Sequence, residues 1–111
     1  MENNKYHILI VEDDKEIRDG VEIYLKNQGY QVWKASNGKE GLEIVAQEEI
    51  HLAILDIMMP VMNGYQLCKE IKSDLELSHI PVIFLTAKND IDSKINGLKY
   101  GAEAYVELSL I

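Results

Sequence analysis

An α/β fold, with a parallel sheet covered by helices on both faces, is predicted from three observations. Five short apolar runs alternate with helical stripes; three of the runs are nearly continuous in Ile, Leu and Val; and glycines or capping residues stand at several of the joins. Continuous apolar runs suit strands buried on both faces. Strict alternation of strand and helix calls for right-handed crossovers and a parallel sheet.

The first run is "YHILIV" from Tyr6. Ile17, Val21, Tyr24 and Leu25 follow at helical spacing, a stripe that stops at Gly29, a residue suited to ending a helix. "YQVWKA" from Tyr30 is the second run, with Trp33 expected as packing. Asn37 offers an N-cap to a helix whose stripe is Leu42, Val45 and Ala46. "HLAILDI" from His51 is the third run. A third stripe then follows in Leu67, Cys68, Ile71 and Leu75, which makes Cys68 a core residue. "PVIFLTA" from Pro81 precedes a fourth stripe, Ile91, Ile95 and Leu98, ahead of Gly101. "AYVEL" from Ala104 is the last run, inside a closing stretch "EAYVELSLI" that alternates like a strand with one buried face. No fifth helix follows. The chain therefore reads as a single domain over residues 1–111, interrupted after its fifth strand.

At 111 residues and 47% hydrophobic content, one domain with a real core is the ceiling. A net charge of −8 argues against this segment gripping nucleic acid or an anionic membrane by itself. One cysteine cannot form an internal disulfide, and no run approaches the roughly 20 apolar residues of a membrane span. "MENNKYH" lacks the apolar core of a signal peptide. A cytoplasmic location is expected.

In open parallel sheets the functional crevice lies at the carboxyl ends of the strands. Run one ends in Glu12, Asp13 and Asp14; run three places Asp56 after Ile54 and Leu55; run four exits at Thr86. Crowded carboxylates repel one another and resist desolvation, and a hard cation such as Mg²⁺, with its preference for oxygen ligands, would offset both. "VEDD" also reads as a helix start, with Asp13 or Asp14 as cap, and Thr86 is an ordinary strand residue. Asp56 is harder to explain that way, since a charge ending a buried apolar run is costly. His7, His51 and His79 look scattered, with no metal set among them.

"ILIVEDD", "LAILDIMMPVMNGYQL", "IPVIFLTA" and "GLKYGAEAY", in that order from about Ile8 to Tyr105, resemble the receiver domain of two-component response regulators. The resemblance implies a flavodoxin-like, doubly wound five-stranded sheet of order 2-1-3-4-5. It implies that Asp56 accepts a phosphoryl group from a histidine kinase. It implies Mg²⁺ held by Asp13, Asp56 and the Met58 backbone carbonyl, with Glu12 acting through a metal-bound water. Thr86 and Tyr105 match the family's switch residues, although Tyr105 also reads as a plain edge aromatic. The output surface would run from about Ile91 to the chain end. Pro60 and Gly64 would shape the loop beside the site.

The departure from the family comes after the last run, where its lysine, proline and aromatic are replaced by Leu108, Ser109 and Leu110. Loss of the phosphate-pairing lysine is expected to weaken coupling between phosphorylation and the switch while leaving Asp56 competent. The Leu108–Ser109 bond is expected to be trans, since a cis bond before a non-proline costs about 2.5–4 kcal/mol. Apolar surface left bare by the missing helix predicts a homodimer or another covering chain. The alternative is a degenerate, phosphate-independent interaction module. A phosphohydrolase using Asp56 would ordinarily carry a second acid where Met58 stands, and no glycine-rich loop follows the first strand for a nucleotide.

Overall fold

The computed structural model describes residues 6–86 and 104–107. Five strands, β1 (His7–Val11), β2 (Gln31–Ala35), β3 (Leu52–Asp56), β4 (Val82–Thr86) and β5 (Ala104–Glu107), form one sheet of order β2-β1-β3-β4-β5. Every pairing is parallel, with Leu9 opposite Ala53, Val11 opposite Leu55 and Asp56 opposite Leu85. This is the predicted doubly wound sheet. Among the described residues the connecting helices are α1 (Lys15–Asn27), α2 (Gly38–Gln47) and α3 (Gly64–Ser73). The fourth stripe, the remainder of the expected output surface, and Leu108 with the residues after it lie outside the described residues.

The helix starts follow from local chemistry. Asp14 caps α1, its Oδ1 accepting from the amides of Glu16 at 2.9 Å and Ile17 at 3.2 Å. Asn37 caps α2 through the Glu40 amide, and Asn63 caps α3 with Gln66 in a reciprocal capping box. Gly29, at φ 94°, supplies the left-handed residue that turns the chain out of α1.

One face of the sheet carries Leu9, Val11, Ala53, Leu55, Val82 and Phe84, packed into a single core with Val45, Leu67, Cys68 and Ile71 from α2 and α3. Ile8 and Ile10 point to the opposite face and are as deeply buried. Trp33 packs against the core's margin.

Three stripe assignments need correction. Tyr24 is 64% exposed, because Leu25 takes the inward position at that turn of α1. Ala46 is exposed, while Val45 is buried and Leu42 packs against the core as expected, with Gly38 and Gly41 completing the inward line of α2. A Cβ on Gly41 would press on Val11 at 2.8 Å, so the absence of a side chain is what lets α2 lie close to β1. Leu75 is 95% exposed, since α3 ends at Ser73 and Asp74 turns extended. Leu77, two residues on, packs against the core instead.

The amino-terminal end of the sheet holds an arrangement that the apparent scatter of the histidines conceals. His51 donates its amide to the His7 carbonyl at 2.8 Å, and the His51 Nδ1 accepts the His7 amide at 2.8 Å. The imidazole thus takes a donor that β3 begins too late to pair. Trp33 Nε1 donates to His7 Nδ1 at 3.3 Å, tying in β2, and the His7 and His51 rings meet edge to face at 5.6 Å. His79 lies apart and exposed.

Candidate functional site

At the opposite end of the sheet, β1 stops at Val11 and only Glu12 and Asp13 separate it from the α1 cap. The Glu12 amide continues the ladder by donating to Ala35 of β2 at 3.1 Å. Its carbonyl accepts from the Arg18 guanidinium at 2.8 Å, and its Oε2 accepts the Asp14 amide at 3.0 Å. These three contacts fix a glutamate that is only 4% exposed. Asp13 beside it is exposed, and Asp56, ending β3, is half-buried.

The neighbouring placement of β1 and β3 brings the predicted acids together. Oxygen atoms from Glu12, Asp13 and Asp56 all lie within 4.8 Å of one another. Burial is the largest cause pushing the Glu12 carboxyl up to about 8, with the Asp14 amide opposing and the charge of Asp56 adding to the rise. Burial likewise raises Asp56 to about 6, offset in part by hydrogen bonds from Glu12 and the Met58 amide. Glu12 and Asp56 are hydrogen-bonded to each other, and both carboxyls resist ionisation relative to ordinary acids. Among the described residues, the ion pairs of this end of the molecule, Lys15–Asp19 and Lys34 with Asp19 and Glu22, run along α1 and β2 rather than to the three carboxylates.

The loop from β3 to α3 wraps the Asp56 side of the cluster. The Gly64 amide donates to the Ile57 carbonyl at 3.0 Å, and any Cβ on Gly64 would collide with the Asp56 carbonyl. Glycine is required there for close backbone approach. Gly38 at the start of α2 packs the same way on Met62, braced from the other side. Between these anchors Val61 sits at φ 71°, unusual for a β-branched residue, and is 79% exposed. Met58 is 66% exposed, with its amide turned onto Asp56.

Thr86 closes β4 in register with Glu107, and Tyr105 pairs with Phe84, so one expected switch position lies on the strand next to Asp56 and the other one strand further out. Leu108, the position of the replaced lysine, follows outside the described residues. Sequence reasoning missed Arg18, the Met58 amide and the strained Val61. The spacing of Arg18, six residues after Glu12 and four after the cap, was the available signal, but a contact to a backbone carbonyl leaves no mark on residue type.

Comparison with known proteins gives a consistent result. The family model described as the response regulator receiver domain matches residues 8–107. Over 106 residues the chain is 42% identical to the transcriptional regulatory protein GltR of Pseudomonas aeruginosa, covering 96% of this chain and 44% of that one. It is 46% identical over 99 residues to the regulatory protein VanR of Enterococcus faecium, covering 89% of this chain and 42% of that protein. The chain thus spans less than half the length of these relatives. Among solved structures, the chemotaxis protein CheY4 of Vibrio cholerae superposes with a TM-score of 0.89 at 27% identity, covering 96% of this chain and 88% of that one.

Proposed function

Because the chain belongs to the response regulator receiver domain family of two-component signalling, we propose that Asp56 is its phosphoacceptor and a sensor histidine kinase its phosphodonor. The observation that carries this reading is the three-carboxylate cluster at the carboxyl end of the sheet, with Asp56 as its half-buried central acid. A carboxylate is a competent nucleophile for making an aspartyl phosphate. The Met58 amide and the Gly64 contact hold Asp56 in place, so its free oxygen can attack without reorganising the loop.

All donors in the cluster are oxygen, and burial and mutual repulsion have raised two of the three carboxyls. That donor set fits Mg²⁺. Asp13 and Asp56 would hold it directly with the Met58 carbonyl, and Glu12 through a water. When bound, the ion supplies neutralisation of the charge on the transferring phosphoryl group. Phosphorylation adds about −1.5 to −2 charge at Asp56, which Thr86 and Tyr105 then read as the switch. Receiver domains act as phosphoacceptors in signalling and not as classical enzymes; self-dephosphorylation at Asp56 is the most catalysis this site would carry. The setting is the cytoplasm, where a kinase's phosphohistidine is presented, and the output passes to an effector or to a second copy of this chain across the surface around β5. The intact acid cluster argues against a phosphate-independent module.

The test is incubation with acetyl phosphate and Mg²⁺, followed by intact-mass measurement. One phosphoryl group should add to the wild type and none to Asp56→Asn or to the wild type in EDTA. An unmodified wild type under these conditions overturns the proposal.

A further inference from the structure

We infer that Arg18 is a positioning residue for the acid cluster, holding the β1–α1 turn so that Glu12 and Asp13 face Asp56. The inference rests on the functional reading above for the cluster's purpose, and on geometry alone for the role of Arg18.

The turn is short and held from several sides, and Arg18 supplies the hold on its carbonyl side. β1 ends at Val11 and α1 begins at Lys15, so its two acids, Glu12 and Asp13, ride on a connection only three residues long with the Asp14 cap. The Glu12 amide is held from β2, and its side chain from Asp14. Its carbonyl points the other way, and Arg18 Nη1 takes it at 2.8 Å. The Arg18 main chain meanwhile donates to the Asp14 carbonyl at 2.9 Å, closing the first turn of α1. One residue therefore grips both ends of the turn, the amide at the cap and the guanidinium at the strand exit. Its bond to Glu12 is charge-assisted and half-buried, the stronger class of hydrogen bond.

Direction matters as well as strength. A peptide unit that loses its carbonyl partner is free to rotate, and rotation at Glu12–Asp13 carries the Asp13 carboxylate away from Asp56. Asp13 is exposed, so little packing would oppose that movement. Arg18 lies in the field of Asp19 and Glu40, but its hydrogen bond goes to the Glu12 carbonyl. The cations of the same flank, Lys15 and Lys34, are engaged with Asp19 and Glu22, while Arg18 lines the cleft beside Lys34, Ser36 and Glu40 with its guanidinium turned to the backbone.

The experiment compares wild type, Arg18→Ala and Arg18→Lys by amide NMR. In EDTA, hydrogen exchange at Asp13 and Asp14 should speed up in Arg18→Ala and return part-way in Arg18→Lys, which keeps a donor on a long stem. Mg²⁺ titration followed by the same amides should show affinity reduced roughly tenfold in Arg18→Ala, the lower end for partners that orient metal ligands, with thermal midpoints nearly unchanged. Unaltered exchange and affinity in a folded Arg18→Ala would overturn the inference, as would a lower thermal midpoint with unchanged Mg²⁺ affinity. If Arg18→Ala fails to fold, Arg18→Lys decides: wild-type exchange and affinity in that variant count against Arg18 geometry mattering, and an intermediate weakening supports it. Wild type that binds no Mg²⁺ would instead sink the functional reading, and the exchange measurement in EDTA would still judge Arg18.

Discussion

The two ends of the sheet solve opposite electrostatic problems with the same strands. At the amino end, His7, Trp33 and His51 tie β1, β2 and β3 together through hydrogen bonds between side chains and backbone, with Glu49 beside the outer nitrogen of His51. At the carboxyl end, β1 and β3 deliver Glu12, Asp13 and Asp56 to within 4.8 Å of each other. One end is tied together by hydrogen bonds within the chain, and the other gathers like charges that raise one another. The contrast separates residues that hold the fold from residues kept under strain for use, a strain that persists because surrounding structure over-determines it.

The largest expected effect that tests this contrast is the dependence of stability on pH and Mg²⁺. The folded-state carboxyl of Glu12 is raised from an ordinary 4.5 to about 8, and that of Asp56 from 3.8 to about 6. The folded chain therefore binds these protons more tightly than the unfolded chain does. Their contribution is fully favourable below the unfolded values and is lost as pH rises through the folded ones. In EDTA, urea unfolding should show stability falling between about pH 5 and pH 8, by on the order of 2–3 kcal/mol once solvent screening is allowed for. Mg²⁺ should flatten that slope, because the ion favours the ionised carboxylates. Glu12→Gln should flatten the upper part of the slope in EDTA. A wild-type stability that is level or rising over this range without cation would break the picture of a strained carboxyl end.

A second expected effect lies inside the loop that wraps the acceptor. Val61 holds φ 71° while 79% exposed, so its side chain contributes little packing in return for a left-handed backbone. A left-handed conformation costs a non-glycine residue about 1–2 kcal/mol, and asparagine tolerates it better. Val61→Asn should raise the urea midpoint by an amount corresponding to about 1 kcal/mol, with Asp56 phosphorylation by acetyl phosphate retained. A lower midpoint would mean that the valine side chain does more in the loop than its exposure indicates.

How much of this was legible in the sequence follows from what kind of contact each feature makes. The strands, the Asp14 and Asn37 caps and the clustered acids were readable, because apolar period and capping chemistry reside in residue type. Gly38 and Gly41 on the inward line of α2 were not, since they pack by lacking side chains and register as nothing on an apolar stripe. Tyr24 and Leu75 were misplaced for the converse reason: they fit the stripe, but helix rotation and the end of α3 put them in solvent. His7 and His51 are 44 residues apart, so their pairing exists only once β1 and β3 are neighbours. The burial of Glu12, which turns an ordinary acidic turn into a strained site, likewise depends on the finished fold.

The smallest expected effect tests whether the two ends are independent. His51→Ala removes the acceptor for the His7 amide and the edge contacts with His7 and Tyr6. His51 is only half-buried, so water can take over part of that role, and the cost should be about 1 kcal/mol. Trp33 lies in the same cluster and is the only tryptophan, so its fluorescence reports unfolding there directly. The two ends share β1 and β3 but no hydrogen-bonded partner, so His51→Ala and Glu12→Gln should add in the double variant to within about 0.5 kcal/mol. Mg²⁺ affinity in His51→Ala should match the wild type. A larger coupling, or an affinity that moves with His51, would show that the strands transmit strain along their length and that the amino end is part of the site's support.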